Sequence, residues 1–208
     1  MKISIIGYGE LGRQIKDLLF QKNESAIYYF DDTEYINSSE FHFKFDDYKS
    51  DKFFDHSFYV ALGYKHLLLK DQIIEELQSL NRHLPSYHHS TTFINKSAII
   101  KENVFIYPMC NVDKDVIINR GTLLNNGVIV SHNTIIGNSC YLSPGVIISG
   151  NVSIGNCTFI GSGSIISNGI KIGNNVKVGI GTVVTSDILD NSNVIGNPMK
   201  VIKSTLNL

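Results

Sequence analysis

From Ile94 to Val184 every sixth residue is aliphatic, sixteen positions in succession carrying Ile, Leu or Val. No other feature of the 208 residues narrows the possible folds as much. A core-facing helix repeats its apolar side chains about every 3.6 residues and a half-buried strand about every second one, so a strict period of six fits neither. It fits a solenoid in which a short strand and a corner recur in each unit and the units stack. Four residues after each aliphatic comes a small or β-branched position, from Val104 and Cys110 through Thr122, Val128, Thr134 and Cys140 to Thr182. The two positions together define an inward face. Gly and Asn fall between them, as in Ile154-Gly155-Asn156, Ile160-Gly161-Ser162 and Ile172-Gly173-Asn174-Asn175. These residues tolerate a positive φ, so the sequence predicts a corner at each. Three strands then close one triangular coil, and the sixteen hexads make roughly five coils.

Residues 1–90 have another texture. Lys2 to Ile6 reads as a short buried strand, Leu11 to about Gln21 as a helix, Ala26 to Phe30 as a second strand and Ser57 to Leu62 as a third. Helical spacing follows to about Arg82, through Leu67, Ile73, Ile74, Leu77 and Leu80. The stretch Glu34 to His56 is polar and aromatic, a loop with one edge strand around Phe41–Phe45. The sum is a small α/β, Rossmann-like unit, with residues 91–208 as a second domain.

Between the first strand and the first helix stands Gly7-Tyr8-Gly9-Glu10-Leu11-Gly12, and Asp31-Asp32 follows the second strand. A GxGxxG turn with an acid about twenty residues on is the dinucleotide fingerprint, in which glycines let the backbone approach a pyrophosphate at a helix N-terminus. A full nicotinamide site needs a second mononucleotide half, for which the chain before residue 90 has no room. A single nucleotide needs only one half. The alternative is that the glycines merely permit close packing of helix on strand.

Charge removes other classes of partner. With 18 basic and 19 acidic residues the net charge is −1, so no global field draws the chain to nucleic acid or an anionic membrane. The opening strand runs into Gly7 with no apolar stretch long enough for a signal peptide or a membrane span, and a cytoplasmic location is expected. Cys110, Cys140 and Cys157 form no CxxC pair, which argues against a disulfide framework and a zinc site and for buried free thiols.

The region from Ile94 to about Ile188 resembles the hexapeptide-repeat acyltransferases, and Val194-Ile195-Gly196-Asn197-Pro198-Met199-Lys200 is similar to the Gly-Asn-Pro-Ala-Lys close of many members. The resemblance implies a left-handed parallel β-helix, a homotrimer, and acetyl-CoA as co-substrate with no metal. The order of a Rossmann-like unit followed by a β-helix is similar to one branch, the bacterial sialic acid O-acetyltransferases and the N-acetyltransferases of nucleotide-linked 4-amino sugars. By that resemblance Gly7, Gly9, Gly12, Asp31, Asp32, Gly63 and Tyr64 hold the nucleotide of the sugar. The branch often has a His where this chain has Leu11 and an Arg where it has Leu68, which leaves Arg13, Lys65 or backbone amides to meet the phosphates.

The catalytic base of the family falls on His132, the one histidine between Ile94 and Val184. Imidazole titrates near neutrality and can take a proton from an attacking amine or hydroxyl. The usual neighbouring acid is replaced by Asn133, which can orient the ring without charging it, and a second family histidine by Tyr141. The acyl donor is expected along a groove between prisms, near Gly150, Ser162, Ile180 and Lys200, where corner amides can stabilise an oxyanion. His42, His56, His66, His83, His88 and His89 lie outside the repeat and receive no role; the pair His88-His89 reads as a linker. Acetylation of a nucleotide-linked amino sugar, such as a 4-amino-4,6-dideoxy sugar of a bacterial surface glycan, is the leading expectation. Sialic acid O-acetylation and a non-enzymatic nucleotide-binding trimer are the alternatives. A carbonic anhydrase on the same scaffold needs three imidazoles around zinc, which one His cannot supply.

Overall fold

The computed structural model describes residues 2–20, 27–35 and 41–202. The chain divides between Pro85 and Ser86 into two compact units. In the first, β1 (Lys2–Ile6), α1 (Glu10–Phe20), β2 (Ile27–Phe30), α2 (Asp32–Tyr35), β3 (His42–Phe43), β4 (His56–Val60) and α3 (Leu67–Ser79) follow in that order. The four strands form one parallel sheet of order β3-β2-β1-β4. Ile6, Phe30, Phe58 and Val60 from the strands meet Ile73, Ile74 and Leu77 of α3, with Tyr48 and Phe53 from two 3-10 turns completing that core. The long polar stretch thus contributes an edge strand and two aromatic anchors. Gln21 and Ala26, the expected ends of the first helix and second strand, lie outside the described residues. The last helix stops at Ser79 instead of Arg82, because the chain reverses at Asn81 with φ 52°. Arg82 is thereby turned inward, where its Nη2 donates to the carbonyls of Lys49 and Ser50 at 3.3 and 3.2 Å and pairs with Asp51 at 3.2 Å.

The second unit is a β-solenoid of about six turns. Two-residue strands recur every six residues from Tyr87–His88 to Val183–Val184 and, with two three-residue strands that follow, stack in three sheets of five, eight and six strands. Each strand pairs in parallel with the strand one coil on, as Ile117 with Ile135 and Leu123 with Tyr141. Asn193–Ile195 and the antiparallel Lys200–Ile202 close the eight-stranded sheet. The two inward positions form one continuous core, with Ile106, Val130, Ile136, Leu142, Ile148, Ile160 and Ile166 inaccessible to solvent. Full burial of each such side chain is worth about 1.5–3 kcal/mol. The hydroxyls at the second inward position have their own task. Thr122 donates to the carbonyl of Gly137 at 2.8 Å and accepts from the amide of Cys140 at 3.0 Å; Thr158 does the same with Gly173 and Val176 at 2.9 and 3.2 Å. A β-branched alcohol there fills the corner and ties it to the next coil.

Two expectations are corrected. Gly155, Gly161 and Gly173 do not take the positive φ; the residue two places later does, at Cys157, Gly163 and Asn175, as also at Asn133, Gly145 and Asn151. Those three glycines are required instead by stacking. A Cβ on Gly155 would stand 2.6 Å from the carbonyl carbon of Gly173, one coil on. The second correction is that His88-His89 is no linker. Tyr87–His88 is already the first rung, His88 pairing with Ile106, and the His89 ring meets the Thr91 hydroxyl at 2.8 Å in the first corner.

Candidate active site

In the solenoid, His132 follows the inward Val130 by two places, at the corner where the chain leaves the six-stranded sheet for the five-stranded one. The residue sits in the turn there and is partly exposed. Gly150 occupies the same corner one coil on, and its amide neighbour Asn151 donates from the backbone to the His132 carbonyl at 2.9 Å. A Cβ on Gly150 would lie 2.6 Å from Nε2 of His132 and 3.0 Å from Nδ1, so the imidazole rests across the face that the missing side chain vacates. Gly150 therefore makes the shelf for the ring. The Asn133 side-chain amide lies 3.3 Å from Nδ1 and 3.2 Å from the Asn151 amide, which in turn lies 3.3 Å from that of Asn168. Asn151 and Asn168 were not among the residues singled out from the sequence. Reading the hexads in steps of a whole coil finds Asn151, 18 residues after Asn133.

The other residues expected around the acyl donor are elsewhere. Ser162 and Ile180 stack at the corner between the eight- and six-stranded sheets, the amide of Gly181 donating to the Ser162 carbonyl at 2.9 Å. Both are exposed, Ile180 at 67%. One copy of the solenoid thus carries His132, Asn133 and Gly150 on one edge and Ser162 and Ile180 on another. Between the two edges runs the outer face of the six-stranded sheet, with Ile129, Ile147 and Ile165 each about 40% exposed. Lys200 is exposed on the closing antiparallel strand, opposite Ile195. Tyr141 is on the eight-stranded sheet, its hydroxyl accepting from Asn125 at 3.2 Å and its ring stacked on Phe159. It is not on the His132 edge.

In the first unit, the residues matched to nucleotide binding gather at the carboxyl end of the parallel sheet, the end at which open α/β sheets bind ligands. Gly7 has φ +87° and abuts Leu62 and the Ala61 carbonyl, so the β1 and β4 turns touch. Gly12 closes on the carbonyl of Gly7, and a Cβ would collide with it. Gly9 and Gly63 face open space. The Asp31 carboxylate accepts from the amides of Tyr8 at 2.8 Å and Thr33 at 2.9 Å, tying the end of β2 to the glycine turn. Asp32 accepts from the amide of Phe45 at 2.9 Å. Both acids thus carry structural bonds whatever else they contact. Tyr8 packs on Tyr29 with ring centroids 4.1 Å apart, and the Arg13 guanidinium is 5.6 Å from the Tyr8 ring. Burial, and then the neighbouring Tyr8, push the Tyr29 phenol far up, so it stays protonated. Lys65 lies 5.9 Å from the ring of Tyr64, after β4. Arg13 and Lys65 thereby flank this end of the sheet, while Glu10 in the first turn of α1 opposes an anion there.

Among the described residues no group of three His, Cys, Asp or Glu side chains could hold a metal ion, and no helix is long and apolar enough to cross a membrane. Residues 133–168 match the family model of the bacterial transferase hexapeptide, six repeats. No curated protein matches the chain in sequence. Among solved structures, the acetyltransferase domain of PglB from Neisseria gonorrhoeae in complex with acetyl coenzyme A is 26% identical, covering 97% of this chain and 98% of that one, with a TM-score of 0.78. PerB from Caulobacter crescentus, in complex with CoA and GDP-perosamine, is 24% identical over 97% of each chain with a TM-score of 0.88, and WeeI from Acinetobacter baumannii is 20% identical over 97% of this chain and all of that one, at 0.85. The last two share the fold.

Proposed function

We propose that this hexapeptide-repeat acyltransferase moves the acetyl group of acetyl-CoA to the amino group of a nucleotide-linked sugar, with His132 as general base. The observation that carries the reading is the partly exposed imidazole of His132 laid across Gly150, in a two-unit fold shared over 97% of the chain with an acetyltransferase domain in complex with acetyl coenzyme A. As the acceptor nitrogen bonds to the acetyl carbonyl carbon, Nε2 of His132 takes its proton. The carbon–sulfur bond breaks and Nε2 returns the proton to the leaving sulfur. Such a base contributes about 10²–10⁴ in rate. The amide-lined corners near Gly150, Ser162 and Ile180 hold the pantetheine arm and the developing oxyanion, and Lys200 meets the donor's phosphates.

Because the His132 edge and the Ser162–Ile180 edge lie on opposite sides of one sheet face, a complete site needs a second prism alongside. A homotrimer supplies one edge from each of two neighbours and covers the aliphatic stripe of Ile129, Ile147 and Ile165. The Rossmann-like unit, which ends at Pro85, holds the nucleotide at Gly7, Gly9, Gly12, Asp31, Asp32, Gly63 and Tyr64, with Arg13 and Lys65 meeting its diphosphate. The solenoid, from Ser86 on, carries the acyl transfer. The acceptor class is a 4-amino-4,6-dideoxy sugar for a bacterial surface glycan, in keeping with the GDP-perosamine bound to the Caulobacter relative.

The test is thiol release from acetyl-CoA with a panel of nucleotide amino sugars and free sialic acid. Release with a nucleotide 4-amino sugar is expected; release with sialic acid alone replaces the reading by O-acetylation, and none with any acceptor leaves a non-enzymatic trimer. Light scattering at micromolar concentration is expected to give three times the chain mass, and a monomer mass overturns the shared site. Acetyl-CoA is also expected to raise the melting temperature by mass action, whereas NAD is not.

A further inference from the structure

The structure assigns to Asn168, Asn151 and Asn133 a relay of side-chain amides that holds His132 as its Nδ1–H tautomer and leaves Nε2 free to take a proton. This inference rests on His132 being the base. The oxygen and nitrogen of an amide side chain have the same shape, and only their partners fix which is which. Asn168 is the member whose partners have fixed chemistry. One of its terminal atoms is 2.9 Å from the carbonyl oxygen of Gly150, and the other is 3.2 Å from the backbone amide of Gly169, which also donates to that carbonyl at 3.0 Å. A carbonyl only accepts and a backbone amide only donates, so Asn168 turns its NH₂ to Gly150 and its oxygen to Gly169.

The consequence propagates along the edge. The NH₂ of Asn168 is also 3.3 Å from the nearer terminal atom of Asn151, which must then be the oxygen. Asn151 therefore turns its NH₂ to Asn133, 3.2 Å away, and the atom it meets there must be the Asn133 oxygen. That same oxygen is 3.3 Å from Nδ1 of His132 and cannot donate to it, so Nδ1 carries the proton. The opposite setting of all three amides would place the Asn168 oxygen against the Gly150 carbonyl and put an NH₂ on Nδ1. The ring proton would then sit on Nε2, and the atom next to the acceptor could not accept. Gly150 enters twice: its missing Cβ seats the ring, and its carbonyl starts the relay. Where a carboxylate beside a histidine would fix the tautomer by charge, this chain fixes it from its own backbone. Asn133, Asn151 and Asn168 are positioning residues, since none takes the proton.

The experiment is nitrogen NMR of the full chain labelled with ¹⁵N-histidine, above the pH at which imidazole is protonated, with the His132 signals identified by their loss in His132→Asn. The wild-type protein is expected to show Nδ1 as the protonated ring nitrogen; a predominant Nε2–H ring overturns the relay. Asn151→Asp keeps a residue that tolerates φ 59° but has no donor to turn toward Asn133. The relay then reverses: the Nε2–H tautomer is expected to dominate and kcat to fall about 10- to 100-fold at unchanged KM. An unshifted tautomer in Asn151→Asp overturns the relay even if the rate falls, and if that variant fails to fold the wild-type spectrum decides alone. An active His132→Ala with the Nδ1–H tautomer intact in the wild type would remove the base and leave the relay, which keeps the two failures apart.

Discussion

Gly155 in the solenoid and Gly7 in the Rossmann-like unit are both places where a side chain cannot stand, for different reasons. Gly155 is excluded by the backbone of Gly173, a neighbour that recurs one coil on, so the constraint is translational and is written into the sequence as a repeat. Gly7 combines a left-handed φ of +87° with contacts to Ala61 and Leu62, from a turn that occurs once. In the solenoid each residue's surroundings can be inferred by adding a coil's length to its number. In the Rossmann-like unit they depend on which distant strand arrives beside it. Tyr48 and Phe53 are buried there by a loop whose sequence gave little sign of a core role.

The sharpest way to test this contrast is at the corner that bears His132, the proposed base. His132→Ala is expected to leave the coil intact, because the side chain points out of the core, while kcat falls about 10²–10⁴-fold with KM little changed. Near wild-type turnover with a verified acceptor would make His132 an ordinary corner residue. A pair of identical substitutions then separates stacking from chemistry. Gly155→Ala drives a Cβ to 2.6 Å from backbone and is expected to cost about 1–3 kcal/mol in denaturant unfolding. Gly150→Ala meets only an imidazole that can swing aside, so stability should change by less than about 1 kcal/mol while the displaced ring lowers kcat roughly 10- to 100-fold. Equal stability losses in the two variants would erase the distinction.

Gly7→Ala is expected to cost about 1–3 kcal/mol through its left-handed backbone. It should raise KM for the nucleotide sugar and leave acetyl-CoA binding as it was; a higher Kd for acetyl-CoA, read by calorimetry, would contradict the assignment of the two substrates to different units. The smallest effect concerns pH. His56 is buried in β4, its Nδ1 2.8 Å from the Ser4 hydroxyl and its ring packed on Tyr28 and Phe53, and burial lowers its pKa from 6.5. The unfolded chain takes the proton more readily than the folded one, so the stability held above about pH 6.5 is lost as pH falls below it. Hydrogen exchange should accordingly speed up at Phe58 more than at Ile136 on acidification through this range, and His56→Gln should remove the difference.

Much of the solenoid was legible because each hexad meets the same surroundings as the last. The inward positions, the corners and the exposure of His132 follow from period alone. The period does not reveal the division of labour within a corner. Sequence cannot tell a glycine needed for φ from one needed for clearance, since both are simply glycine. It also hid the first rung, because Tyr87-His88 lacks the aliphatic signature. The glycine turn and the acids after β2 were legible as a motif, yet the bonds from Asp31 to Tyr8 and Thr33 and from Asp32 to Phe45 were not, since the latter joins residues with no periodic relation.

By itself, then, the sequence determined the solenoid, the outward edge that bears His132 and the parallel α/β unit before it, because periodicity and turn chemistry act over a few residues and need no knowledge of distant partners. Only the tertiary structure decided that Gly150 is the shelf of the imidazole, that Ser162 and Ile180 stand on a different edge from His132, and that the backbone at Gly150 and Gly169 orients three asparagines toward Nδ1. Those facts depend on which groups meet across coils and on the direction of each hydrogen bond, and a linear order of residue types carries neither.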